Sequence, residues 1–77
     1  MTLADSPVGV TLQVTGVRLP AAAAFRLREM GIRAGTRARV TQHAAFGGRV
    51  VAVDGSRYAL DGGTAALVDV EPEAGLK

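Results

Sequence analysis

The sequence predicts a mainly β protein in which about five short strands and one α-helix form a small, strongly bent barrel. Several short segments alternate apolar and polar residues, which is the period of a half-buried strand. Only residues 21–30 have the composition of a helix. Asp54-Gly55 is a strong hairpin signal, because both turn positions tolerate positive φ. Five short strands around one helix in 77 residues indicate a barrel.

Length and composition indicate one small domain over residues 1–77. A chain of 77 residues buries only about 60% of its unfolded surface, so its stability is marginal. The hydrophobic fraction of 48% supports a core, and with only two Phe and one Tyr this core must be built from aliphatic residues and alanine. The absence of cysteine excludes disulfides, thiolate metal sites and cysteine nucleophiles, and is typical of cytoplasmic proteins.

The N-terminal residues and the hydropathy pattern do not indicate targeting to a membrane. The first seven residues include an aspartate and a proline and have no basic region, so they do not resemble a signal peptide. No apolar run approaches the roughly 18 residues needed to cross a bilayer, so direct membrane insertion is not expected. We expect the folded core to cover residues 3–71 and residues 72–77 to form a flexible tail.

The first strand and the helix are predicted in the first half of the chain. Apolar and polar residues alternate over residues 10–17, which indicates a strand. Pro20 then stands where a helix can begin, since its missing N–H is not needed in the first turn. Alanine-rich sequence without β-branched residues favours a helix from Ala21 to Met30. Gly31 is the predicted helix stop, because glycine adopts the left-handed conformation without a Cβ penalty.

After Gly35 apolar and polar residues alternate with a period of two, which is typical of strands. Small or apolar residues alternate with arginine in the next strand, and paired glycines precede the strand that follows. The predicted elements are strands at residues 36–43, 49–53, 56–60 and 67–71, with a tight turn at 54–55 and a short turn or single helical turn at 61–66.

A short spacing recurs where two strands begin. Gly9 precedes Val14 by five residues, and Gly35 precedes Val40 by five. Each glycine follows a turn and opens a strand, which suits a meandering barrel, although one pair is too little to define a sequence repeat.

The net charge of +2 is unevenly distributed along the chain. Residues 1–39 carry six arginines against two acids, which is +4, and residues 40–77 carry three basic residues against five acids, which is −2. A basic concentration in one half indicates an acidic partner or nucleic acid.

The residues that could carry chemistry are few and isolated. His43 has no second histidine, cysteine or suitably spaced carboxylate, so a zinc site is not predicted. Asp69, Glu71 and Glu73 are interpreted as the polar face of an edge strand rather than as a cation site. The run Asp61-Gly-Gly-Thr lacks the lysine and the spacing of a phosphate loop and is interpreted as a cap or turn. We expect no catalytic, cofactor-binding or metal-binding residues and no enzymatic activity.

Several of these features occur in a characteristic order along the chain. They are Leu3 with Asp5, the Pro7–Gly9 turn, the strand at 10–17, the helix ending Arg26-Leu-Arg-Glu-Met-Gly-Ile, the Gly35-Thr36 turn, Gly47-Gly48 before a strand, and Tyr58-Ala-Leu closing a hairpin. In this order they resemble the FeoA family. The resemblance covers residues 3–71, and its most specific part is residues 27–35 combined with Gly47-Gly48.

Resemblance to FeoA implies an SH3-like barrel and a cytoplasmic protein of bacterial ferrous iron uptake. It also implies action on FeoB, a large membrane protein with a cytosolic GTP-binding domain that moves Fe²⁺ inward. The expected partner is therefore the cytosolic part of a FeoB-like transporter, and the expected role is docking that supports or regulates transport. Binding of a transition metal ion is implied at the level of the family only, since no Fe²⁺ site is visible in this sequence.

We expect the contact with this partner near the helix and the turn that follows it. The expected polar rim of the contact consists of Arg26, Glu29, Arg33, Arg37 and Arg39. Arginine suits this role because its planar guanidinium pairs with carboxylates through two hydrogen bonds. The apolar residues of the same segment, Leu27, Met30 and Ile32, are expected to pack the helix against the barrel.

Two other functions fit part of the pattern. The C-terminal domain of DtxR-type iron-dependent repressors is similar and SH3-like, so a free-standing regulatory module is an alternative. The segment from Gly35 to Val50 loosely resembles the KOW pattern of barrels that bind RNA or ribosomes. Scattered aromatics and the acids of the second half argue against RNA, so no nucleic-acid partner is expected. Weak self-association through an exposed edge strand also remains open.

Overall fold

Five antiparallel strands in one sheet and one principal helix make up the fold in the computed structural model, which describes residues 1–73. In chain order the elements are a 3₁₀ turn at Leu3–Asp5, β1 (Thr11–Val17), α1 (Ala21–Glu29), β2 (Arg37–His43), a 3₁₀ turn at Ala45–Gly47, β3 (Arg49–Val53), β4 (Ser56–Leu60), α2 (Gly62–Ala65) and β5 (Val68–Pro72). The predicted mainly β class with five strands and one main helix is confirmed.

The sheet has the strand order β4-β3-β2-β1-β5, so β1 and β2 lie at its centre. On the outer side of β5, the Val70 N–H donates to the carbonyl of Met1 at 2.8 Å, and Thr2 forms a bridge with Asp69. The N-terminal residues therefore cover the start of this edge strand, which is one way in which proteins protect sheet edges. Within residues 1–73, no strand pairs with the outer side of β4.

The recurring glycine–valine spacing corresponds to two reciprocal hydrogen bonds between the central strands. The Gly9 N–H donates to the Val40 carbonyl at 2.9 Å, and the Gly35 N–H donates to the Val14 carbonyl at 2.8 Å. Both glycines have positive φ, +90° and +94°, which favours glycine. The backbone N–H groups of these two glycines, each shortly before a strand, thus close opposite ends of the β1–β2 pair in the same way.

The core is aliphatic, as the composition requires. Alternate residues of β1, β2, β3 and β5 point inward, and residues from the end of β4, the helix exit, α2 and the N-terminal turn complete the cluster. Its buried members are Leu3, Leu12, Val14, Leu27, Ile32, Ala38, Val40, Val51, Val53, Leu60, Ala65, Val68 and Val70. Burial of this apolar surface is the main favourable contribution to folding in a domain of this size.

The exit of α1 forms a double hydrogen bond that turns the chain toward β2. The Gly31 N–H donates to the Arg28 carbonyl and the Ile32 N–H donates to the Leu27 carbonyl, each at 2.9 Å. Gly31 has φ +89°, so the predicted glycine stop is confirmed. Leu27 and Ile32 are both buried in the core, which is the apolar contact that usually accompanies this helix ending. Met30 packs against the same core and is half-buried.

Several element bounds differ from the prediction by one residue. The strand β5 ends at Pro72 rather than at residue 71, and the Glu73 N–H donates to the Thr11 carbonyl at 3.0 Å. The prediction was wrong about Pro72, because an edge strand accepts proline where its missing N–H would face away from the partner strand. The rest of the predicted tail, residues 74–77, lies outside the described residues. The two 3₁₀ turns were not predicted.

The turn before β3 holds an exposed aromatic side chain in an uncommon backbone conformation. Phe46 has φ +57° and its side chain is fully exposed. Next to it, the Gly48 N–H donates to the Ala45 carbonyl at 3.0 Å, and the Arg49 guanidinium donates to the carbonyls of Gly47 and Gly48 at 2.9 Å each. These bonds hold the turn independently of the Phe46 side chain.

We predict that Leu27→Ala lowers the free energy of unfolding by about 2–5 kcal/mol, because Leu27 is only 4% exposed and its removal leaves a cavity in the core. Urea denaturation followed by circular dichroism measures the change. Phe25→Ala, on the same helix but 56% exposed, is the control and should cost clearly less. Equal effects of the two substitutions would contradict the assignment of Leu27 to the core.

We predict that Gly62→Ala destabilises the fold whereas Gly63→Ala does not. A Cβ at position 62 would lie 2.8 Å from the Phe46 carbonyl oxygen, a backbone atom that cannot move away cheaply. A Cβ at position 63 meets only the Asp61 carboxylate at 3.7 Å, which is an ordinary contact. Thermal denaturation should show a loss of about 1–3 kcal/mol for Gly62→Ala, as for overpacked sites. Similar melting temperatures for both variants would contradict close packing of α2 on the turn.

Candidate functional site

An open cleft of about 880 Å³ lies where the exit of α1 meets β2 and the β3–β4 hairpin. Its lining is rich in charged side chains, which the fold itself does not require. The charged residues of the lining are Arg28, Glu29, Arg33, Arg37, Arg39, Asp54 and Arg57. Five of these seven are arginines, so the cleft carries a net positive charge.

Strand register explains how arginines from distant parts of the chain reach the same face. Thr11 pairs with Arg39, Arg39 with Ala52, and Ala52 with Arg57. Directly paired residues project from the same face of a sheet, so these four form one row across four strands. The residues next to Arg39 in the chain, Ala38 and Val40, are buried, so the row faces solvent.

Four of the five residues predicted as a polar rim lie together in this cleft. Glu29 and Arg33 come from the exit of α1, and Arg37 and Arg39 come from β2. Arg26 does not join them. It lines a separate groove of about 360 Å³ between α1 and the end of β4, whose other lining residues are mostly apolar.

Sequence reasoning missed three charged residues of the cleft: Arg28, Asp54 and Arg57. Arg28 was not assigned to the polar rim, and Arg57 lies eighteen residues from Arg39 in the chain. The Asp54-Gly55 turn sets the register of the hairpin, with Val53 opposite Ser56. That register places Arg57 opposite Ala52, so the hairpin signal could have located it.

Two ion pairs link the strands to acidic residues of the C-terminal part of the chain. Arg18 holds Asp69 through two bonds, Nε–Oδ2 at 2.9 Å and Nη2–Oδ1 at 3.0 Å, and this hydrogen bonding lowers the pKa of Asp69. Arg37 Nη2 lies 2.8 Å from Glu73 Oε2. The acids at 69 and 73 therefore neutralise arginines of the same molecule.

The other cleft arginines are not neutralised in this way. Arg28, Arg33, Arg39 and Arg57 form no ion pair with any side chain in the described part of the chain. Like charges crowded on one face oppose the folded state slightly, and the two acids of the lining, Glu29 and Asp54, offset only part of the charge of five arginines. The cleft is therefore suited to receive negative charge from another molecule.

The remaining candidate groups have local structural partners. Asp61 caps α2 by accepting from the Thr64 N–H at 2.6 Å, which lowers the pKa of Asp61, as expected for a cap or turn. His43 Nε2 lies 3.2 Å from the Ser6 carbonyl oxygen. Among residues 1–73, no three His, Cys, Asp or Glu side chains come together as metal ligands. No helix in this range is long and apolar enough to cross a membrane.

Solved structures of other proteins share this arrangement of strands and helices. Stenotrophomonas maltophilia FeoA, a prokaryotic SH3 domain protein crystallised with zinc, is 36% identical, with a TM-score of 0.78 over 92% of this chain and 89% of that one. Iron(II) transport protein A from Clostridium thermocellum is 24% identical, with a TM-score of 0.88 over 97% of this chain. The present chain spans about half of that protein, 47% of its length.

One similar structure belongs to a different class of protein. The manganese regulator SloR aligns with 95% of this chain at a TM-score of 0.81, but the match is 16% identical and covers 34% of SloR. At this identity the likeness shows a shared fold alone. A search of curated proteins found no match.

A family model provides the most direct assignment. The model of the FeoA domain matches residues 1–72, which is nearly the whole chain. Together with the structural similarity to FeoA proteins, this match confirms the predicted SH3-like fold. The chain belongs to the FeoA family.

Proposed function

We propose that this chain is a non-enzymatic accessory protein of bacterial ferrous iron uptake, which acts in the cytoplasm by binding the cytosolic part of a FeoB-type, GTP-dependent iron transporter. Membership of the FeoA family, whose members are associated with iron transport, supports this role. The observation that carries the docking part of the proposal is the cleft, in which arginines from α1, β2 and β4 meet and four of them form no ion pair within residues 1–73.

The contact that we propose is centred on Glu29, Arg33, Arg37 and Arg39. These side chains project from an outer face whose backbone is held by the core beneath it, so the face is already formed before a partner binds. A preformed backbone limits the loss of conformational entropy on association to that of the side chains. Positive charge also accelerates the encounter with an acidic partner. Arg26 lies on the other groove and contributes little in this arrangement.

A regulatory module of the DtxR type is the second candidate. The manganese regulator SloR shares the fold of this chain, which makes the alternative structurally feasible, but at 16% identity the similarity supports the fold and not a shared role. The two functions differ in the partner that the cleft must recognise, either a membrane transporter or another domain of a regulator. Binding to the cytosolic domain of a FeoB-like protein distinguishes them.

We predict that the full chain co-purifies with the cytosolic domain of a FeoB-like transporter from the same organism. The measurement should be made with and without guanine nucleotide, because the nucleotide changes the conformation of GTP-binding domains. Absence of binding in both states would reject the proposed function.

Reversal of charge within the cleft tests where the partner binds. Arg33→Glu should weaken binding at least about tenfold, since it replaces a charge-assisted contact by repulsion. Arg26→Glu makes the same change in net charge on the other groove and should alter the affinity less than about twofold. Circular dichroism checks that both variants are folded. If the two variants bind alike, the contact does not lie in the cleft.

A further inference from the structure

Two cleft arginines stand on either side of a small residue on the outer face of the sheet. Arg39 on β2 and Arg57 on β4 are both paired with Ala52 on β3. Neighbouring strands are about 4.8 Å apart, so the two Cα atoms are separated by about 10 Å. The side chain of Ala52 is a single methyl group, and Ala52 lines the open cleft together with both arginines. An anionic group above Ala52 can therefore be reached from both sides.

The chain itself shows how this face binds a carboxylate. Glu73 follows β5 in extended chain, and its backbone N–H donates to Thr11, another residue of the cleft lining. Its carboxylate lies 2.8 Å from the guanidinium of Arg37, the neighbour of Arg39 on the same face. An acidic side chain on an extended segment is thus already accommodated at one end of the face. Arg39 and Arg57 have no such partner within residues 1–73.

The rest of the lining favours a protein segment over a nucleic acid. Glu29 and Asp54 also line the cleft, and they would repel a continuous phosphate backbone. Among the described residues, no aromatic side chain lines the cleft, whereas proteins that bind single-stranded RNA stack bases on aromatic rings. A peptide with spaced carboxylates satisfies the arginines, and its backbone N–H groups can donate to the two acids.

We propose that Arg39 and Arg57, on either side of Ala52, bind carboxylates of an extended acidic segment of the partner protein. This inference rests on the proposed docking function and names the chemistry that the docking surface recognises. Arginine serves better than lysine here, because its planar guanidinium donates two parallel hydrogen bonds to one carboxylate. Arg28 and Arg33 extend the positive surface toward the exit of α1.

The test uses the full chain and a fluorescein-labelled hexaglutamate peptide at low ionic strength, with fluorescence anisotropy as the readout. We expect Arg57→Gln to weaken binding about tenfold, since a charge-assisted bidentate contact is lost. Arg26→Gln removes the same charge outside the cleft and should change the affinity less than about twofold. Arg57→Lys keeps the charge without the planar geometry and should restore binding only in part.

The possible outcomes separate this inference from the function on which it rests. Equal weakening by Arg57→Gln and Arg26→Gln would overturn the inference, because only net charge would then matter. Tighter binding of an oligouridylate than of hexaglutamate, lost in Arg57→Gln, would overturn it in favour of nucleic acid. In either case co-purification with the transporter domain could still succeed. Conversely, peptide binding that depends on Arg57 without any binding of the transporter domain would support the carboxylate-binding site and reject the proposed partner.

Discussion

The antiparallel pairing of β1 with β2 is the contact on which the rest of the structure depends. These strands are separated in sequence by α1 and its exit turn, yet they are neighbours at the centre of the sheet. The amides of Gly9 and Gly35 close the two ends of the pair on the carbonyls of Val40 and Val14. Strand β3 pairs with the outer side of β2, and β5 pairs with the outer side of β1. A slip in the register between β1 and β2 would therefore turn the apolar residues of the neighbouring strands away from the core.

The same backbone segments supply both the core and the cleft. Along β2, Ala38 is buried while Arg37 and Arg39 project from the outer face. At the exit of α1, Ile32 is buried and Arg33 lines the cleft. The alternation of side chains along β2 and the tight turn after α1 thus place charged side chains directly above the apolar core. A substitution of the outer arginines should therefore weaken binding while the protein stays folded, whereas a substitution of the buried residues beneath them should destabilise the fold.

Short-range signals were sufficient for most of the fold. The glycine stop at Gly31, the Asp54-Gly55 turn and the cap at Asp61 all follow from local conformational preferences, and the structure contains each of them. The 3₁₀ turn at Leu3–Asp5 was missed although a local bond marks it, since the Thr2 N–H donates to Asp5 Oδ1 at 2.8 Å. Its contacts with α2 and β5 are the part that depends on residues remote in the chain. The positive φ of Phe46 was missed for a different reason, because phenylalanine is not among the residue types that favour this conformation and so does not mark it in the sequence.

The sequence by itself determined the strands, the helix and its end, the family resemblance and the concentration of arginines near α1 and β2. Only the tertiary structure decided which arginines share a surface. It separated Arg26 from the cleft, added Arg28 and Arg57, and neutralised Arg37 with Glu73. The physical reason is that local preferences are set by neighbours in the chain, whereas a charged surface is assembled by the register of strands that are far apart in sequence.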